Sequence, residues 1–134
     1  MSMTKTILVV DDIAFVRKTL TEIFTEGHYE VIGQAADGKE AIELFTKLKP
    51  DLVTLDLVMP KMSGIEAARQ IIKTDPHAKL IMITAMAQEN LVMEAINAGI
   101  RDYILKPFTA QDILRTAERA LFSDVAGNTR ARSS

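Results

Sequence analysis

The sequence predicts an α/β fold in which a parallel sheet of five strands is wound on both faces by helices. Two observations predict it. Apolar runs and helical periodicities alternate along most of the chain, and strands alternating with helices pair in parallel through right-handed crossovers. Four apolar runs also end on a polar stop: Ile7 to Val10 on Asp11-Asp12, Leu52 to Leu55 on Asp56, Leu80 to Ile83 on Thr84, and Tyr103 to Leu105 on Lys106-Pro107. Runs this uniformly apolar suit strands covered on both faces. As parallel strands they would bring all four stops to the carboxyl edge of the sheet, where open α/β sheets bind ligands.

In order, residues 5–10 read as the first strand. Residues 14–26 follow as a helix, with Phe15, Leu20, Ile23 and Phe24 at near-helical spacing and Gly27 as its stop. Tyr29 to Gln34 is the second strand. Asp37-Gly38-Lys39-Glu40 has the form of a capping box and opens a helix that carries Ile42, Leu44, Phe45 and Leu48 and ends before Pro50. The third strand runs to Asp56, and Ser63-Gly64-Ile65-Glu66 repeats the cap before a helix with Ile65, Ala68, Ile71 and Ile72. The fourth strand ends at Thr84. A helix from about Gln88 to Ala98 stops at Gly99, residues 101–105 form the last strand, and Thr109-Ala110-Gln111-Asp112 caps a helix through Leu121. Residues 1–122 are thus expected to be one domain, and 123–134, small and polar with Gly127 and two arginines, a disordered tail.

Composition narrows the function. A chain of 134 residues suits one domain with a sizeable core. Its net charge of −2 gives no basic footprint for nucleic acid or an anionic membrane. The absence of cysteine excludes disulfides, thiolate chemistry and zinc–thiolate sites. No apolar run is long enough to span a bilayer, and the first five residues lack the apolar stretch of a secretory signal, so a cytoplasmic location is expected. His28 and His77 are remote in pattern from the acidic stops and read as surface residues. Five of the seven methionines fall between Met59 and Met93; core filling explains Met82, while Met62 and Met93 could serve an adaptable surface.

Taken singly, each stop has an ordinary explanation. Asp12 could cap the first helix, Asp11 and Asp56 could be turn residues, Thr84 a strand terminus and Lys106 a surface lysine. Their shared position on one sheet edge favours a site.

The set of motifs resembles the receiver domain of two-component response regulators, and most of all its single-domain chemotaxis members of the CheY type. Asp11-Asp12 after strand one, Asp56 followed by Met59-Pro60 and Gly64, Thr84-Ala85 after strand four, and Lys106-Pro107-Phe108 after strand five carry the resemblance. It extends from about Lys5 to Phe122. It implies a doubly wound sheet of order 2-1-3-4-5 with strands one and three adjacent at the switch point, so Asp11, Asp12 and Asp56 would converge. Like charges about 4 Å apart repel by roughly 4 kcal/mol at an effective dielectric near 20, and such a cluster calls for a cation. Oxygen ligands without His or Cys select a hard ion, and Mg²⁺ is expected rather than Ca²⁺.

The resemblance also assigns roles. Asp56 would be the phosphoacceptor, with Lys106 and Thr84 contacting the phosphoryl oxygens. Asp12, Asp56 and the backbone carbonyl of Val58 would bind Mg²⁺ directly and Asp11 largely through water. Thr84, Tyr103 and the helix around Val92 would form the switch and output surface, Tyr103 turning from exposed to buried. Implied partners are a CheA-like sensor histidine kinase, a target such as a flagellar motor switch protein, and a phosphatase; neither direct nucleic-acid contact nor membrane insertion is expected. The domain would catalyse only its own phosphorylation and dephosphorylation. Relatives often carry amide or acidic side chains two residues after the acceptor and two after the threonine, where this chain has Val58 and Met86, which predicts slow self-dephosphorylation.

Two other function classes fit less well. A metal-dependent phosphatase of the haloacid dehalogenase type would carry Asp-x-Asp after strand one, where this chain has Asp11-Asp12-Ile13. A nucleotide module of flavodoxin or Rossmann type would need a phosphate loop there, and Ile13-Ala14-Phe15-Val16 is not one. A receiver cut from a multidomain regulator remains an alternative, although no helix-turn-helix pattern follows the last strand.

Overall fold

The computed structural model describes residues 4–85 and 88–122; Met86 and the tail 123–134 expected to be disordered lie outside the described residues. The elements are β1 (Thr6–Val10), α1 (Ala14–Glu26), β2 (Glu30–Ala35), α2 (Gly38–Leu48), β3 (Leu52–Leu55), α3 (Gly64–Thr74), β4 (Leu80–Thr84), α4 (Glu89–Asn97), β5 (Asp102–Leu105) and α5 (Ala110–Phe122). The sheet has the order β2-β1-β3-β4-β5, with every pair parallel.

Side chains alternate across each strand, and the sheet accordingly builds two cores. Leu8, Val10, Val53, Leu55, Leu80 and Met82 pack beneath α2, α3 and α4. Ile7, Val9, Leu52, Ile81 and Ile83 pack beneath α1 and α5. β1, β3 and β4 lie inside the sheet and are buried from end to end apart from Thr6, which explains their predominantly apolar sequences, with Thr54 the polar exception inside β3. Within this interior, the Thr54 hydroxyl is buried with no hydrogen-bond partner among the described residues. Among those residues, no helix is long and apolar enough to cross a membrane.

The helix starts follow the capping chemistry in the sequence. The Asp37 side chain accepts from the Glu40 amide at 2.8 Å, and the Glu40 carboxylate reaches back to the Ala36 amide at 2.8 Å. The Ser63 hydroxyl accepts from the Glu66 amide at 3.2 Å, and Thr109 and Asp112 bond each other's main-chain N–H reciprocally. One detail of α1 departs from expectation. Phe15 is 75% exposed, because it lies about 140° around the helix from Leu20, off the packed stripe. α1 stops at Gly27, as expected; the left-handed residue that follows is His28 at φ 71°, and the lack of a side chain at Gly27 makes room for Leu114. β2 begins one residue later than expected, at Glu30. His28 and His77 are exposed, as expected. Met82 fills the core, Met62 packs partly against it, and Met93 is exposed.

Candidate functional site

Parallel pairing in register aligns the strand ends. Val10 pairs with Leu55 and Thr84 with Leu105, so the next residues, Asp11, Asp56 and Lys106, emerge together at the carboxyl edge beside Thr84. The ladder continues one step past the strands: the Asp56 amide donates to the Val10 carbonyl at 3.0 Å, the Asp11 amide to Ala35 at 3.0 Å, and the Lys106 amide to Thr84 at 2.9 Å. Main-chain hydrogen bonds therefore fix the positions from which the functional side chains project.

Lys106 closes the site across the edge. Its Nζ donates to Asp11 Oδ2 at 2.8 Å and to Asp56 Oδ2 at 3.2 Å. The Ile13 amide donates to the other Asp11 oxygen at 2.9 Å. Asp11 and Asp56 are buried, whereas Asp12 is exposed at the rim. Carboxylate oxygens of Asp11, Asp12 and Asp56 all lie within 4.8 Å of one another.

The electrostatics of this cluster are unbalanced. Burial pushes the Asp11 carboxyl above its ordinary 3.8, and hydrogen bonds from Lys106 and Ile13 offset only part of that cost while Asp56 adds to it. Burial alone would lower the Lys106 ammonium, but its bonds and charge interactions with Asp11 and Asp56 carry it above 10.5. A carboxyl raised on folding contributes stability below its unfolded value that is lost as pH rises through the folded one. Ionisation of Asp11 as pH rises is therefore a cost to folding. One ammonium serves two of the three carboxylates, Asp11 and Asp56, and the oxygen-only donor set suits a hard divalent ion at this edge.

The other residues singled out in the sequence sit around this centre. Thr84 is buried at the end of β4, Tyr103 on β5 is 38% exposed, and Val92 is half-buried on α4. Val58 is 57% exposed, two residues beyond Asp56. Sequence reasoning missed Arg17, whose Nη1 donates to the Asp11 carbonyl at 2.7 Å and whose Nε donates to Gln34 Oε1 at 3.2 Å. One signal was available: a cation near the start of a helix opposes the dipole there.

A family model for the response regulator receiver domain matches residues 7–118. The chain belongs to the response regulator receiver family. It is 47% identical over 117 residues to the chemotaxis protein CheY of Thermotoga maritima, covering 87% of this chain and 98% of that protein. It is 48% identical over 115 residues to the Bacillus subtilis protein CcdB, covering 86% of this chain and 96% of that one. Among solved structures, the CheX–CheY–BeF3–Mg complex from Borrelia burgdorferi matches with a TM-score of 0.83 and 38% identity, over 85% of this chain and 87% of that chain. The receiver fold and its sheet order thus agree with the sequence expectation.

Proposed function

We propose that this receiver accepts a phosphoryl group on Asp56 from the phosphohistidine of a CheA-like kinase and passes the signal on as an altered surface, in a chemotaxis pathway. The observation that carries the reading is the Lys106 ammonium shared between Asp11 and Asp56, with Asp12 beside them. In the reaction an Asp56 carboxylate oxygen forms the new bond to phosphorus as the bond from phosphorus to the donor imidazole nitrogen breaks, leaving an acyl phosphate. Lys106, already directed at Asp56, neutralises charge on the phosphoryl oxygens. Asp12, Asp56 and the Val58 carbonyl would hold Mg²⁺, with Asp11 acting through water. Bound there, Mg²⁺ supplies further neutralisation of those oxygens.

Phosphorylation adds negative charge and acceptor oxygens at Asp56, giving Lys106 and the Thr84 hydroxyl new partners. Movement of Thr84 opens space for Tyr103 to turn inward and alters the surface it shares with Val92 on α4. The partner, a protein such as a flagellar motor switch component, stabilises the phosphorylated form only by its differential affinity for the two surfaces. The Borrelia relative is found in a complex with CheX; separately, slow self-dephosphorylation set by Val58 and Met86 would leave signal termination to a separate phosphatase.

Incubation with acetyl phosphate and Mg²⁺ tests the reading. The wild type should incorporate acid-labile, hydroxylamine-sensitive phosphate and Asp56→Asn should not. Equal incorporation by the two proteins would reject Asp56 as the acceptor, and turnover of free phosphate esters by catalytic amounts of protein would favour a phosphatase.

A further inference from the structure

We propose that Arg17 is a positioning residue for the acidic edge: by gripping the peptide between Asp11 and Asp12 it presets the Asp12 carboxylate for a divalent cation, an inference that rests on the ion-site reading above. Arg17 lies in α1, and its guanidinium spans from the Asp11 carbonyl to Gln34 on β2. Every polar group of Asp11 is thereby engaged. Its amide bonds Ala35, its carbonyl takes Arg17, and its two carboxylate oxygens take Ile13 and Lys106.

Asp12 has no such support. Among the described residues its exposed carboxylate makes no side-chain hydrogen bond, so its direction is set by the main chain it follows. The carbonyl gripped by Arg17 belongs to the peptide plane that leads into Asp12, and holding that oxygen limits rotation of the plane. Fixing the main chain in advance removes part of the ordering cost that a cation would otherwise meet.

The guanidinium also has an opposing effect, because its positive charge repels a cation. Substitution separates the two. Arg17→Lys keeps the charge but loses the planar fork that reaches both acceptors. Arg17→Gln removes charge and fork together. If positioning dominates, both variants bind the ion more weakly; if repulsion dominates, Arg17→Gln binds it more tightly.

The test is calorimetric titration of the full chain with Mg²⁺, with thermal unfolding of each variant measured without the ion. Arg17→Lys and Arg17→Gln should each lose about 10-fold in Mg²⁺ affinity, the lower range for groups that support metal ligands. Gln34→Ala, which frees one side of the guanidinium, should shift affinity the same way by less. Lower unfolding temperatures with unchanged Mg²⁺ affinity would reduce Arg17 to a structural residue and overturn the proposal, as would tighter binding by Arg17→Gln. Asp12→Ala separates the two levels of inference. If it loses affinity while the Arg17 variants keep it, only the role of Arg17 fails; if it too keeps wild-type affinity, the ion site is elsewhere and both fail.

Discussion

Gly64 lies against the main chain of Asp56 so closely that a β-carbon at position 64 would collide with the Asp56 carbonyl oxygen. The Gly64 amide also donates to the Leu57 carbonyl at 2.8 Å, seating the start of α3 directly on the segment that leaves the candidate acceptor. The obstacle is backbone, which cannot swing aside as a flexible side chain could. Gly64→Ala is therefore expected to cost about 1–3 kcal/mol, the range for forced overpacking, and to slow phosphate uptake by displacing Asp56. Urea unfolding together with an acetyl phosphate assay measures both, and wild-type values would show that the loop absorbs the methyl group freely.

The three carboxylates predict an ion-dependent stability. Without a divalent cation, Asp12→Ala relieves repulsion from Asp11 and Asp56 and should raise Tm by about 3 °C, a shift worth on the order of 1 kcal/mol in a domain of this size. Saturating Mg²⁺ should raise the wild-type Tm by mass action and the variant's much less, closing or reversing the gap. Scanning calorimetry with EDTA and with Mg²⁺ checks this. A variant less stable than the wild type in EDTA would contradict the repulsion.

Thr54 carries a buried hydroxyl without a partner among the described residues, in a strand otherwise lined by Leu52, Val53 and Leu55. Thr54→Val keeps the shape and removes the unpaired group, and should stabilise the protein by about 1 kcal/mol. An unchanged or lower urea midpoint would mean that the hydroxyl is satisfied in solution.

Val58 presents an exposed apolar side chain two residues beyond Asp56. It cannot accept a hydrogen bond from a water lined up to attack the acyl phosphate. Val58→Asn should therefore shorten the lifetime of the phosphorylated protein severalfold. The decay of bound phosphate after donor removal measures it, and identical decay would show that Val58 does not limit the water.

The parts of the fold most legible in the sequence were those with one strong physical cause. β1, β3 and β4 are covered on both faces and so are written as predominantly apolar runs, each ending where the chain reaches the sheet edge. The caps at Asp37, Ser63 and Thr109 were legible because a side chain bonds an amide three residues on. Phe15 misled because near-helical spacing does not reveal which stripe the helix packs, and β2, an edge strand with mixed exposure, gave a weaker boundary. At the site, Asp11, Asp12, Asp56, Thr84 and Lys106 were visible as strand-end residues. Arg17 left only the trace of a cation near a helix start, since it acts on a carbonyl oxygen that every residue possesses. The contact between Gly64 and Asp56 was equally hidden, because a glycine after a serine cap reads the same whether or not a strand end lies against it.

Chemical location of the phosphoryl group tests the acceptor most directly. Borohydride reduces an aspartyl phosphate to homoserine, marking the modified residue in the chain. After phosphorylation with acetyl phosphate and Mg²⁺, peptide mass mapping should find homoserine at position 56. Homoserine at position 11 or 12, or none in a protein that has taken up phosphate, would contradict the assignment of Asp56.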